Sequence, residues 1–158
     1  MSTVKEAVEV EVPLRVAYGQ WTQFEEFPKF MEGVEEVRQL DDRHNHWTMS
    51  IGGVRREFDT EIVDQLLDDR ITWRSVAGDT RQRGSVRFER IDDTNTRVEL
   101  TMDVEPTGMA EKGADALGMI DRRVKGDLRR FKDYVESGGG EVGGWRGRIR
   151  PGDAGSPL

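Results

Sequence analysis

Val8-Glu9-Val10-Glu11-Val12 alternates apolar and acidic residues with the two-residue period of a strand that buries one face. Pro13 ends it, and Leu14, Ala17, Tyr18 and Trp21 then recur at helical spacing, which predicts a short helix over 13–22. A proline suits the first position of a helix, where its missing N–H has no intrahelical partner in any case. The next stretch, Trp21 to Met31, reads WTQFEEFPKFM. Pro28 does not fit inside a long helix, so the pattern predicts a tight turn through Phe24 to Phe27 and a second short helix over 28–31. Two small helices are thus bent around a knuckle of aromatics.

From Val34 the period changes to two and stays there. Strands are predicted over 34–41, 44–52, 54–66, 70–77, 83–91 and 96–105, joined by turn residues such as Asp41-Asp42, Gly52-Gly53, Asp68-Asp69 and Asp92-Asp93-Thr94-Asn95. With the first strand this makes seven, mostly consecutive and antiparallel. After Pro106 and Gly108 the period is helical again: Gly113, Leu117, Ile120, Val124, Leu128, Phe131 and Val135 lie on one stripe of a long amphipathic helix. Beyond Ser137 the chain reads GGGEVGGWRGRIRPGDAGSPL and no period survives, so the division expected is one domain over 1–137 and a flexible Gly/Arg-rich tail over 138–158. Trp145 with Arg146, Arg148 and Arg150 forms an aromatic-plus-arginine cluster in that tail. Such a cluster is either simply solvated or suited to a partner, an acidic surface or RNA.

A chain of 158 residues suffices for one domain with its own core. It has no cysteine, which rules out disulfides, thiolate metal sites and cysteine nucleophiles and fits a reducing cytoplasm. The N-terminus lacks a basic segment followed by an apolar run, and no apolar stretch is long enough to cross a bilayer, so a soluble cytoplasmic protein is expected. The net charge of −7, with both signs interspersed, argues against nucleic acid as a partner. No signal specifies an oligomer, and a monomer or weak homodimer is expected.

One strand, two short helices, six antiparallel strands and a long last helix, together with Val12-Pro13 and the Phe24-Glu25-Glu26-Phe27-Pro28-Lys29-Phe30-Met31 knuckle, resemble the helix-grip fold of the START-like superfamily. This group is also called SRPBCC or polyketide cyclase/dehydrase, and it includes coenzyme Q-binding and Bet v 1-type proteins. The resemblance covers about residues 3 to 136. It implies an α+β fold in which a seven-stranded curved antiparallel sheet wraps around the C-terminal helix. It also implies an apolar ligand cavity between the two.

Side chains that would face such a cavity follow from register. A Gly52-Gly53 turn sets Ile51 opposite Val54, Met49 opposite Arg56 and Trp47 opposite Phe58 on one face. Ile71, Trp73 and Ser75 share a face of the next strand, and Val98, Leu100, Met102 and Val104 share one near the end. The candidate ligand-binding set is Phe27, Phe30, Trp47, Met49, Arg56, Phe58, Trp73, Ser75 and Met102, with Leu117 and Ile120 from the helix. The composition suits a pocket and equally suits a core. Ala110, Gly113, Ala114, Ala116 and Gly118 give the first half of the helix little side-chain volume, which favours a cavity. Arg56 on an apolar face either anchors a polar ligand group or packs its stem and extends its head to water.

On the opposite face His46 falls opposite Asp59 and His44 opposite Glu61, beside Thr48, Ser50, Arg55 and Glu57. This reads as a charged outer face with histidine–carboxylate pairs, and no metal or other cofactor is expected. No GxSxG, HExxH, Walker or dinucleotide motif is present. Glu25 and Glu26 read as solvated residues of the knuckle. Three functions remain open. The first is binding of a lipid, quinone or polyketide-like molecule with Arg56 or Ser75 orienting its polar end. The second is an aromatase/cyclase acting on a poly-β-ketone, in which Arg56 polarises a carbonyl and Ser75 or Tyr18 relays a proton. The third is a partner-binding protein that uses the acidic sheet face or the basic tail.

Overall fold

The computed structural model describes residues 2–51, 53–78, 81–105 and 113–137, with backbone only for 2, 51, 105 and 113–117. In chain order the elements are β1 (Ser2–Val10), α1 (Leu14–Trp21), a 3₁₀ helix (Phe24–Lys29), β2 (Val34–Gln39), β3 (His44–Ile51), β4 (Val54–Leu66), β5 (Arg70–Gly78), β6 (Arg81–Asp92), β7 (Asn95–Glu105) and α2 (Gly113–Glu136). The strands form one antiparallel sheet in the order β1-β7-β6-β5-β4-β3-β2, curled around α2. This is the α+β helix-grip arrangement expected from the element order. The expected tail over 138–158 lies outside the described residues, as does the middle of the Gly52-Gly53 turn.

Two local expectations need correction. The first strand begins at Ser2, well before Val8, because Ser2 to Ala7 continue the pairing with β7 from Val104 down to Glu99. Its alternation is hidden in the sequence by Glu6, which lies on the same face as Val4 and Val8 but meets Lys125 of α2 at 3.9 Å. The second short helix spans 24–29 and contains Pro28, whereas the sequence predicted it to start there. A 3₁₀ turn closes N–H(i) to C=O(i−3), so Pro28 forfeits a single bond. The helix is held on either side by Glu26 N–H to Gln23 O at 3.0 Å and Phe30 N–H to Phe27 O at 3.1 Å. Pro13 acts as the N-cap of α1, its carbonyl accepting Val16 N–H at 3.0 Å and Ala17 N–H at 3.1 Å.

The aromatic knuckle joins the layers. Trp21 meets Phe131 of α2 at a ring separation of 4.8 Å and Phe88 of β6 at 6.2 Å, both edge-to-face. Phe30 meets Phe131 at 5.3 Å, and Tyr18 meets Phe88 at 5.5 Å. Val124, Leu128, Phe131 and Val135 of α2 are all buried, so the C-terminal half of this helix is its packed half. On the other side of this junction a space opens between sheet and helix. Among the described residues no helix is long and apolar enough to cross a membrane.

Phe131 is fully buried between Trp21 and Phe30. Phe131→Ala should lower unfolding stability by about 3–5 kcal/mol in urea titrations. A loss under about 1 kcal/mol would show that the knuckle does not hold α2 to the sheet.

Candidate functional site

The space between sheet and helix is a cavity of about 170 Å³. Its wall is mostly apolar: Trp21, Phe24, Phe27 and Met31 from the knuckle, Trp47, Met49, Ile62, Ile71 and Trp73 from β3–β5, Leu100, Met102 and Val104 from β7, and Met119, Ile120, Val124 and Leu128 from α2. Met119 lines the cavity and is also exposed, which brings the cavity to solvent at the N-terminal half of α2. Trp73 lies across Gly84 of β6, where any Cβ would sit only 2.7 Å from Trp73 Cζ2 and 2.7 Å from the Thr101 carbonyl. Glycine at this strand position therefore sets the place of one aromatic wall.

Five polar side chains interrupt the lining: Asn45, Thr60, Gln82, Arg123 and Asp127. Asn45 and Thr60 face each other across β3 and β4. The Thr60 hydroxyl accepts the Trp47 indole N–H at 2.9 Å. Asn45 Oδ1 is buried and has no hydrogen-bond partner among the described residues. A buried acceptor left without a donor costs about 1–3 kcal/mol, so the site favours any occupant that supplies one.

Arg123 and Asp127 lie one turn apart on α2; Asp127 bonds the 30–33 loop and Arg123 the end of β3. Arg123 Nη1 donates to the Ser50 carbonyl at 3.1 Å and passes over Gly33, whose φ of +90° and missing Cβ make room for the guanidinium. Asp127 Oδ1 accepts Glu32 N–H at 3.0 Å and Arg130 Nη2 at 2.5 Å, while Arg130 Nε donates to the Phe30 carbonyl at 3.0 Å. Burial pushes the Asp127 carboxyl up to about 6, against the opposing pull of Arg130, the Glu32 N–H and Arg123. A carboxyl that titrates this close to neutrality in an apolar cavity can hold or take a proton under ordinary conditions.

The structure brings Phe27, Trp47, Met49, Trp73, Met102 and Ile120 together in the cavity wall. Of the other sequence candidates, those with described side chains do not line it. Phe58 is buried behind Trp47, stacked on it at 5.9 Å. Phe30 and Tyr18 are consumed by the aromatic core. The Ser75 hydroxyl accepts Gln82 N–H at 3.0 Å and closes the β5–β6 hairpin. Arg56 stands opposite Met49, on the inward parity of β4, but unlike Met49 it is not part of the wall. It is half-buried and makes no ion pair among the described residues. The Leu117 side chain lies outside the described residues.

Asn45 and Thr60 escaped the sequence reading although each lies two residues from a chosen position, Trp47 and Phe58, on the same face. Arg123 and Asp127 escaped it because polar residues beside Ile120 and Val124 look like a solvated flank. On the outer face His46 bonds Asp59 at 2.6 Å and Glu57 at 3.0 Å, and those bonds, from Asp59 first, raise its pKa. His44 bonds Asp41 at 2.9 Å. Among the described residues no cluster of three or more such groups could hold a metal ion.

A curled sheet gripping a helix over an apolar cavity defines the START-like class of small-molecule-binding folds. The chain belongs to the polyketide cyclase/dehydrase and lipid transport family, whose model matches residues 10–133. It is 50% identical over 149 residues to an uncharacterized 17.2 kDa protein from the melC2-rnhH intergenic region of Streptomyces lincolnensis, covering 94% of this chain and 99% of that one. The fold is shared with the Zhui aromatase/cyclase of a Streptomyces species, with a TM-score of 0.75 and 15% identity over 91% of this chain and 99% of that one. It is shared too with a START superfamily protein of Mycobacterium smegmatis, with a TM-score of 0.68 and 18% identity over 85% and 97%.

The raised pKa of Asp127 makes a signed prediction. Its folded value of about 6 stands above the ordinary 3.8, so the folded state binds the proton more tightly. The ionised group thus weakens stability above pH ~6, and that loss is relieved as pH falls from ~6 to ~4. Relative to Asp127→Asn, the native chain should gain up to ~3 kcal/mol on acidification from neutral pH, read from urea unfolding across pH. Parallel pH profiles for the two proteins would refute the shift.

Proposed function

We propose that the chain binds a small hydrophobic molecule carrying a hydroxyl or N–H group in the cavity between the sheet and α2. The observation that carries this reading is the unpartnered Asn45 Oδ1 in the wall of an otherwise apolar cavity. A volume of about 170 Å³ is close to the ~150 Å³ of an engineered apolar cavity that takes up benzene. One ring or a short branched chain fills it. A longer lipid, a quinol or a polyketide-like molecule would place that much of itself inside and extend past Met119 to solvent. Family membership supports the same reading, since lipid transport is part of the family's description.

A second reading, cyclisation or dehydration of a poly-β-ketone, is favoured by one specific observation, the presence of both Asp127 and Arg123 in the cavity wall. Ionised Asp127 would take the acidic proton between two ketones while Arg123 holds the enolate oxygen. The enolate carbon would then attack a second carbonyl, and the resulting alkoxide would recover the proton from Asp127. The cavity volume counts against a multi-ring substrate in this closed shape, and binding without turnover is the primary reading.

Phenol and toluene have nearly the same shape and differ in one donor, so they test the anchor. Binding followed by quenching of Trp21, Trp47 and Trp73 should favour phenol by roughly five- to tenfold, the worth of one hydrogen bond. Asn45→Leu should abolish that preference while toluene still binds. If neither compound binds, or if phenol keeps its advantage in the variant, the anchored-cavity reading fails. Mild-ionisation mass spectrometry of freshly purified protein would then name any natural occupant.

A further inference from the structure

The knuckle and the β2–β3 turn enclose a polar groove of about 580 Å³, which shares only Phe24 with the lining of the cavity among the described residues. Four carboxylates line it, Glu25, Glu26, Asp41 and Asp42, with Phe24 and Gln65 completing the wall and no lysine or arginine in the lining. Some of this charge is engaged. Glu26 accepts the Tyr134 hydroxyl at 2.7 Å and Lys29 at 3.3 Å. Asp41 accepts the Arg43 N–H at 2.8 Å and both the N–H and ring nitrogen of His44 at 2.9 Å. Glu25 spends one oxygen on the Gln39 N–H at 2.9 Å. Asp42 has no hydrogen bond or ion pair among the described residues.

The second observation is independent of charge. Gln65 is 1% exposed, lines this groove, and its Nε2 has no hydrogen-bond partner among the described residues. A buried amide donor without an acceptor is rare in folded proteins and signals a missing partner. The groove therefore presents a deficit of positive charge together with one unused donor. An extended peptide bearing arginines has the complementary set: guanidinium groups for the carboxylates and main-chain carbonyls for Gln65.

This chain carries such a segment. α2 ends beside the groove, since Tyr134, bonded to Glu26, lies only three residues before Ser137. The arginine cluster Trp145-Arg146-Gly147-Arg148-Ile149-Arg150 follows after roughly eight residues, a reach of up to about 26 Å. The intervening sequence is mainly glycine, which permits close backbone approach to a wall. We propose that the acidic groove is the docking site of the chain's own Trp145–Arg150 segment, its arginines meeting Glu25, Asp41 and Asp42 and a main-chain carbonyl accepting from Gln65. This contact is separate from the cavity, and it stands or falls independently of the ligand reading.

Trypsin reads the contact in the full chain, because Arg146 and Arg148 are themselves cleavage sites, Arg150 being protected by Pro151. Docking makes those cuts slow at low salt. Glu25→Gln combined with Asp42→Asn should raise the initial rate of cutting at Arg146 and Arg148 roughly fivefold, with cuts elsewhere unchanged. Wild-type protein should show the same rise near 1 M salt, where screening reaches about 3 Å, after correction with a synthetic peptide of residues 144–151. The reverse experiment guards against a misfolded groove variant. Replacing Arg146, Arg148 and Arg150 with glutamine should increase carbodiimide labelling of Glu25 and Asp42 in an otherwise native groove. Equal cutting in wild type and variant, or equal labelling with and without the arginines, overturns the proposal. Protection that grows with protein concentration also overturns it and assigns the groove to a second copy.

Discussion

The structure depends on the aromatic junction that holds the C-terminal half of α2. Phe131 stands between Trp21 and Phe30, and this aromatic junction fixes the helix to the knuckle and, through Phe88, to the sheet. Aromatic contacts of this kind contribute both buried area and preferred ring geometry. The turns of α2 before the junction line the cavity with Met119, Ile120, Arg123 and Val124. The same helix thus secures the fold with its last turns and walls a cavity with the turns before them.

That division explains where polar groups are tolerated. At the junction the ring contacts are apolar, whereas one turn before it Asp127 sits in the cavity wall with its carboxyl raised to about 6. Its bonds to Glu32 and Arg130 moderate the burial penalty without cancelling it. Arg123 on the previous turn ties α2 to the end of β3 through the Ser50 carbonyl. The loop from Phe30 to Gly33 is held to the helix by two polar side chains, Asp127 and Arg130, and it borders the cavity through Met31. Any ligand that perturbs Asp127 also perturbs this loop.

Much of the fold was legible because each element keeps one period. Strands β2 to β7 and α2 fall within a few residues of their predicted bounds, since period two and period 3.6 are hard to confuse over such lengths. The failures were local and physical. Glu6 hid the start of β1 by meeting Lys125 where an apolar residue was expected, and Pro28 was read as a helix start when a 3₁₀ turn accommodates it. The apolar half of the site followed from parity, as with Trp47, Met49 and Trp73. Parity also pointed to Arg56 and Ser75, but it carries no information on where along a strand the cavity ends. Arg123 and Asp127 were invisible for a different reason: on a helix flank, a polar residue facing a cavity has the same spacing as one facing water.

The polar residues of the wall bear on whether this space is a packing defect or a site. A defect lined only by leucine, methionine and tryptophan would forfeit dispersion contacts and nothing more. Here the lining also holds an acceptor without a donor at Asn45 and a carboxyl whose ionised form is disfavoured by burial. Each lowers stability in the empty protein by an amount comparable to a typical destabilising substitution. Leucine at either position would relieve that penalty and fill part of the void. Two penalties converging on one cavity that reaches solvent are the arrangement expected when an occupant, by donating to Asn45 or exchanging a proton with Asp127, recovers the energy that the empty fold forgoes.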